Sequence, residues 1–90
     1  MSRPVGTVYL LHFHRPLHHA RHYMGWTDDL GERLARHARG NGSALMAAVM
    51  RARVGWSLVR TWVGVTRDDE RRLKRSHNVP RLCPACKQGG

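Results

Sequence analysis

Between Pro4 and Pro16 stands a run of β-branched and aromatic residues in partial alternation, Val5 to Phe13 (VGTVYLLHF). A chain with such a run near its start builds its core on a β-strand. Arg15-Pro16 ends this strand, since the residue before a proline is pushed toward extended or turn backbone. Leu17 to His22 is polar and His-rich and reads as a solvent-facing loop. Arg21 to Trp26 (RHYMGW) is then a second short strand, and the pair forms a hairpin with a long loop.

Helix signals follow. Thr27 with Asp28 and Asp29 starts a first helix, because a hydroxyl caps free amides and carboxylates oppose the positive end of the helix dipole. It runs to about Arg39 and stops at Gly40-Asn41-Gly42. Ser43 caps a second helix, Ala44 to about Arg53, with Leu45, Ala48, Val49 and Ala52 on one buried face. Trp56 to Val63 (WSLVRTWV) alternates as a third strand packed on both sides, and Gly64 ends it. Thr66 with Asp69 is a capping-box-like start to a third helix, running to about His77 before Asn78 and Pro80 forbid continuation. The order ββααβα describes one mixed α/β (α+β) domain over residues 1–90. A three-stranded sheet is flanked by helices, and a basic, Cys-containing tail occupies 79–90.

Ninety residues make a single domain with a modest core. Sixteen Lys and Arg against six Asp and Glu give a formal charge of +10, and Arg supplies fourteen of the sixteen. That imbalance favours a polyanion partner through counterion release, and Arg suits bidentate phosphate contacts. A ribosomal or architectural binder fits the composition as well as an enzyme does. No segment approaches the roughly 20 apolar residues of a spanning helix, and the start lacks an apolar leader with a cleavage site, so a cytoplasmic protein without a membrane partner is expected. The two cysteines, Cys83 and Cys86, stand three positions apart and read as reduced thiols or metal ligands.

Val8-Tyr9-Leu10 on strand one, Tyr23-Met24-Gly25 on strand two, and Arg33 and His37 on helix one resemble the defining motif of the GIY-YIG nucleases. Tyr23 to Arg33 is ten residues, Arg33 to His37 is four, and Glu70 lies on the last helix. The resemblance covers residues 5 to about 83. Thr7 stands where the family's first tripeptide has Gly, and the stretch after Glu70 departs from the family's spacing, with Asn78 the nearest counterpart of its Asn.

The resemblance implies an endonuclease that hydrolyses DNA phosphodiester bonds, with Tyr9, Tyr23, Arg33, His37 and Glu70 as catalytic residues. Tyr9 activates the water, its hydroxyl pKa falling beside a metal and an Arg, and Tyr23 orients the phosphate or the water. The chemistry is coherent from the residues alone. Arg33 offers a fixed-charge fork to the phosphoryl group, His37 sits one turn away on the same face, and Glu70 holds Mg²⁺ or Mn²⁺. Arg36, Arg71, Arg72, Lys74, Arg75 and Asn78 would contact nucleic acid. The substrate, whether flapped, branched, nicked or site-specific DNA, or RNA, stays open, and high specificity would need a partner protein or a dimer.

Duller readings stand beside each residue. Strand tyrosines are usually packing, His37 near a helix C-terminus could face solvent, and Glu70 to Lys74 is a helical surface pair worth about 0.3 kcal/mol. Met24, Trp26, Trp56 and Trp62 read as core, with base stacking the lesser alternative for the last two. His12, His14, His18, His19 and His22 read as a solvated or phosphate-contacting group sooner than as metal ligands. Cys83-Pro84-Ala85-Cys86 is half of a zinc site, with His77 as its candidate third ligand. A non-catalytic nucleic-acid-binding domain, zinc-stabilised at its C-terminus, is the alternative to the enzyme.

Overall fold

The computed structural model describes residues 4–75 and 79–88. Its core is the three-stranded antiparallel sheet that the alternation demands, in the order β2-β1-β3, with β1 (Gly6–Leu17) between β2 (Ala20–Thr27) and β3 (Trp56–Val65). Because side chains alternate across a strand, β1 serves two cores. Tyr9, Leu11 and Phe13 pack with Met46, Val49 and Val54 on one face. Val8 and Leu10 pack with Met24 and Cys83 on the other. The first face is covered by α1 (Leu30–Ala38) and α2 (Ala44–Arg51); the second by α3 (Arg67–Arg75) and two short helices, α4 (Val79–Leu82) and α5 (Pro84–Gln88).

The mixed α/β architecture therefore holds, and several details differ from expectation. β1 does not end at Arg15-Pro16 but continues to Leu17, which pairs with Ala20 around a tight His18-His19 turn, so the long loop is absent. Pro16 is tolerated because it lies beyond Phe13, the last residue of β1 paired with β3. The α1 cap is Asp29, whose carboxylate accepts from the Glu32 amide at 3.1 Å, while Thr27 is buried at the end of β2 with its hydroxyl accepting from the Asp29 amide. Ser43 caps α2 as expected, accepting from the Met46 amide at 3.0 Å, but α2 stops at Arg51 and Arg53 takes a left-handed φ of 56°.

β3 is an edge strand, with Ser57, Leu58, Arg60, Thr61 and Val63 exposed, and it touches the two cores only through Trp56 on one face and Val59, Trp62 and Val65 on the other among the described residues. Its pairing with β1 slips twice, and Trp56, Val59, Trp62 and Val65 turn inward at a spacing of three. Gly64 does not end the strand. It sits at the second slip with φ +75°, a conformation that costs glycine nothing. At α3 the Thr66–Asp69 capping box is reciprocal: the Thr66 amide donates to Asp69 at 2.8 Å, and the Asp69 amide to the Thr66 hydroxyl at 3.3 Å. The segment after residue 78 is no loose tail, because Leu82, Cys83, Ala85 and Cys86 dock on the sheet. His77 and Asn78, and with them the expected end of the third helix, lie outside the described residues.

Candidate active site and metal cluster

A polar cleft of about 220 Å³ opens at the β2 edge between α1 and α3, lined by Tyr23, Gly25, Trp26, Arg33, Arg67, Glu70, Arg71 and Lys74. Three elements supply it. The β2 alternation puts Tyr23 and Gly25 on the α1 side of the sheet, opposite Leu11 and Tyr9. Arg33, one turn into α1, and Glu70, in the first turn of α3, close it from the two layers. Tyr23, Arg33 and Glu70, which the sequence nominated, thus meet around one cavity. Arg67 and Trp26 join them, with the Arg67 guanidinium 4.9 Å from the Trp26 ring centre. Arg67 was not foreseen; its place as the first residue of α3, one turn before Arg71, is the signal that could have found it.

Tyr9 and His37 lie behind this wall, both fully buried. Their Oη and Nε2 are hydrogen-bonded at 2.7 Å, the direction depending on the imidazole tautomer, and the Tyr23 ring meets the His37 ring edge-on at 5.1 Å. His37 is therefore no solvent-facing helix-end histidine. Two glycines permit the arrangement. A Cβ on Gly25 would stand 2.5 Å from the Tyr9 hydroxyl, and one on Gly42 would overlap the His37 ring. The Tyr9 pKa does not fall: burial raises it first, Tyr23 adds to the rise, and Arg33 only partly offsets it, so the phenol stays protonated at neutral pH. Burial, then Arg33, lowers the His37 pKa and keeps the imidazole neutral. Arg33 Nε and His37 Nδ1 are buried with no hydrogen-bond partner.

The nominated cations are mostly tethered. Lys74 holds Glu70 at 3.1 Å, Arg71 and Arg72 lie within 4.0 and 3.8 Å of Asp68 and Asp69, and Arg36 is paired with Glu32 one turn earlier. All four pairs leave the cation largely exposed, so each is weak and available to a stronger anion. Arg75 is exposed at the end of α3, and Asn78 lies outside the described residues.

A second cluster occupies the opposite face of the sheet, where His12 on β1, His22 on β2, Cys83 and Cys86 bring one ligand atom each within 4.8 Å of one another and could hold a metal ion. His12 and His22 are direct cross-strand partners. The sequence had given Cys83 and Cys86 to His77, which lies outside the described residues. The five histidines from His12 to His22 read there as a solvated or phosphate-contacting group, with His12 and His14 sharing a strand face; the cross-strand register instead brings His12 to His22. The other three stay apart: His14 meets the Ser57 hydroxyl at 2.8 Å, and His18 and His19 are exposed in the turn. Burial, then His12 and Arg21, lowers the His22 pKa, while burial and Cys83 raise that of Cys86, so both are neutral at physiological pH. Among the described residues no helix is long and apolar enough to cross a membrane. Compared with protein-family models, curated proteins and solved structures, the chain matches none.

Proposed function

We propose that this chain is a metal-dependent endonuclease of the GIY-YIG type, acting on the phosphodiester backbone of DNA, with RNA as the alternative substrate. The observation that supports it best is the cleft. Tyr23, Arg33 and Glu70 are spread over 47 positions and three elements, yet they line one cavity with the cations Arg67, Arg71 and Lys74. A purely structural ion pair on α3 does not require that convergence.

The donor set fits Mg²⁺ or Mn²⁺ in kind. Such ions bind through one or two carboxylates and keep several waters, and Glu70 is a half-buried carboxylate facing a polar space with room for water. Glu70 would hold the ion, which when bound neutralises charge developing on the phosphoryl oxygens and lowers the pKa of its water. The remaining work belongs to side chains. Arg33 binds a phosphoryl oxygen with its fork, and its buried Nε awaits an acceptor. Tyr23 orients the phosphate from the cleft wall. Tyr9 stands behind Gly25 and Tyr23, protonated and bonded to neutral His37 at 2.7 Å; the proton-accepting role that the resemblance implies for it would run as a relay, a proton reaching its oxygen from the water side as its own passes to Nε2. Gly25 lies against this hydroxyl and keeps the relay next to the cleft.

One observation favours the alternative, a non-catalytic nucleic-acid binder: Lys74 already neutralises Glu70. The test is cleavage of plasmid and branched DNA with Mg²⁺, Mn²⁺ or chelator. Glu70→Ala and Arg33→Ala should each lose on the order of a hundredfold to a thousandfold in rate while retaining DNA binding, and Tyr9→Phe should lose rate with the ring still in place. Cleavage that survives Glu70→Ala and Tyr9→Phe intact would overturn this site; binding without cleavage in the parent chain would establish the alternative.

A further inference from the structure

We infer that His12, His22, Cys83 and Cys86 form a closed, four-coordinate structural zinc site that clamps the C-terminal segment onto the β1–β2 hairpin. This holds whether or not the cleft cuts nucleic acid. Hydrogen bonding by itself does not account for the cluster. His12 Nδ1 lies 3.3 Å from His22 Nε2, 3.4 Å from Cys83 Sγ and 3.7 Å from Cys86 Sγ, and Cys86 Sγ lies 3.1 Å from His22 Nε2. A ring nitrogen carries either one proton or one lone pair, so it cannot satisfy three neighbours at once. Four donors that crowd each other in this way are aimed at a common centre.

The separations also match those around a tetrahedral ion. Zinc bonds of about 2.3 Å to sulfur and 2.0–2.1 Å to nitrogen, at tetrahedral angles, set ligand atoms about 3.3 Å apart for two nitrogens and about 3.6 Å for nitrogen and sulfur. The contacts of 3.1 to 3.7 Å straddle those values. Two imidazoles and two thiolates, with no fifth ligand among the described residues, make the closed set of a structural zinc site, and that softness selects against Mg²⁺ or Ca²⁺.

The C-terminal segment, finally, needs an anchor. Helices of four and five residues cannot sustain themselves, and among the described side chains of this segment those packed on the sheet are Leu82, Cys83, Ala85 and Cys86. A metal bridging Cys83 and Cys86 to adjacent strands supplies the missing attachment. Cys83-Pro84-Ala85-Cys86 gives the two thiols the short spacing that one ion requires, and the cross-strand pairing gives the two imidazoles.

The test is made on the full chain, purified under reducing conditions without chelator. Elemental analysis should find about one zinc per chain, the Co²⁺-loaded protein should show the thiolate charge-transfer and intense d–d bands of a tetrahedral site, and chelator should lower Tm. Cys86→Ser and His22→Asn should each weaken zinc retention at least about tenfold, the loss that even an outer-shell partner causes. His14→Ala and His77→Ala should retain the ion. Because a ligand variant can fail to fold, the Co²⁺ spectrum of the unaltered chain decides independently. Metal-free protein with reduced thiols and unchanged melting, a chain two hydrogens lighter from a Cys83–Cys86 disulfide, or zinc lost on His77→Ala but kept on His22→Asn would each overturn the proposal.

Discussion

Tyr9 and His37 illustrate how a few ångströms of burial redirect a residue's chemistry. Both are fully enclosed, and the enclosure raises one pKa and lowers the other, so both stay neutral over a wide range around pH 7. For His37 this has a consequence for stability. The unfolded chain takes up a proton near the ordinary value of 6.5, whereas the folded chain resists it. The unfolded state then binds more protons in the window below 6.5, and stability present above that pH is lost as pH falls through the lowered folded value. Urea midpoints from pH 8 to pH 5 should fall more steeply for the parent chain than for His37→Gln, which cannot titrate. Equal slopes would show that His37 does not carry the effect.

At the scale of elements, short side chains govern where helices begin, and the hairpin governs what they cover. Asp29, Ser43 and the Thr66–Asp69 pair each satisfy amides that would otherwise be orphaned in a first turn. Because α1 carries Arg33 and His37 on a helix of only nine residues, its cap matters to the site as well as to the fold. Asp29→Ala should cost about 1 kcal/mol in chemical denaturation, whereas Asp28→Ala should cost much less. Equal costs would return the cap to the Thr27-Asp28-Asp29 run as a whole. The paired length of β1 and β2 sets one face of the hairpin against α1 and the other against the cysteines, so a single hairpin serves both the cleft and the metal cluster.

Across the whole molecule, charge outweighs every other feature that a partner would meet. A formal +10 is spread over a domain whose acidic residues are few, and four cations, Arg33, Arg67, Arg71 and Lys74, converge on the cleft. If each neutralises one phosphate, the logarithm of duplex affinity should fall against the logarithm of salt concentration with a slope of about −3.6 or steeper. Fluorescence titrations of a labelled duplex from low to physiological salt would measure it, and an affinity indifferent to salt would remove the polyanion as a partner. Lys74→Ala should reduce the slope by about 1, because it deletes one phosphate contact without touching the others.

Periodicity and capping chemistry are local, and they are written in the chain: the strands around Tyr9, Tyr23 and Trp62, the helix starts at Ser43 and Thr66, and the stop at Gly40 follow from residues within a few positions of each. The meeting of Tyr23 and Arg33 was legible in the same way, because a strand, a short connection and one helical turn fix their separation. What the chain could not disclose were quantities set by contacts between distant segments. That β3 lies at the edge of the sheet, that burial overrides Arg33 at the Tyr9 hydroxyl, and that His12 pairs with His22 all depend on strand order and register. The histidine pair was hidden because His12 and His22 each lie on a readable strand, while the register that sets them opposite one another is decided by how the two strands pair and not by any local signal. The approach of Cys83 to His12 spans 71 positions, and no local propensity encodes it; the apolar face of the sheet and the geometry of four converging donors decide it.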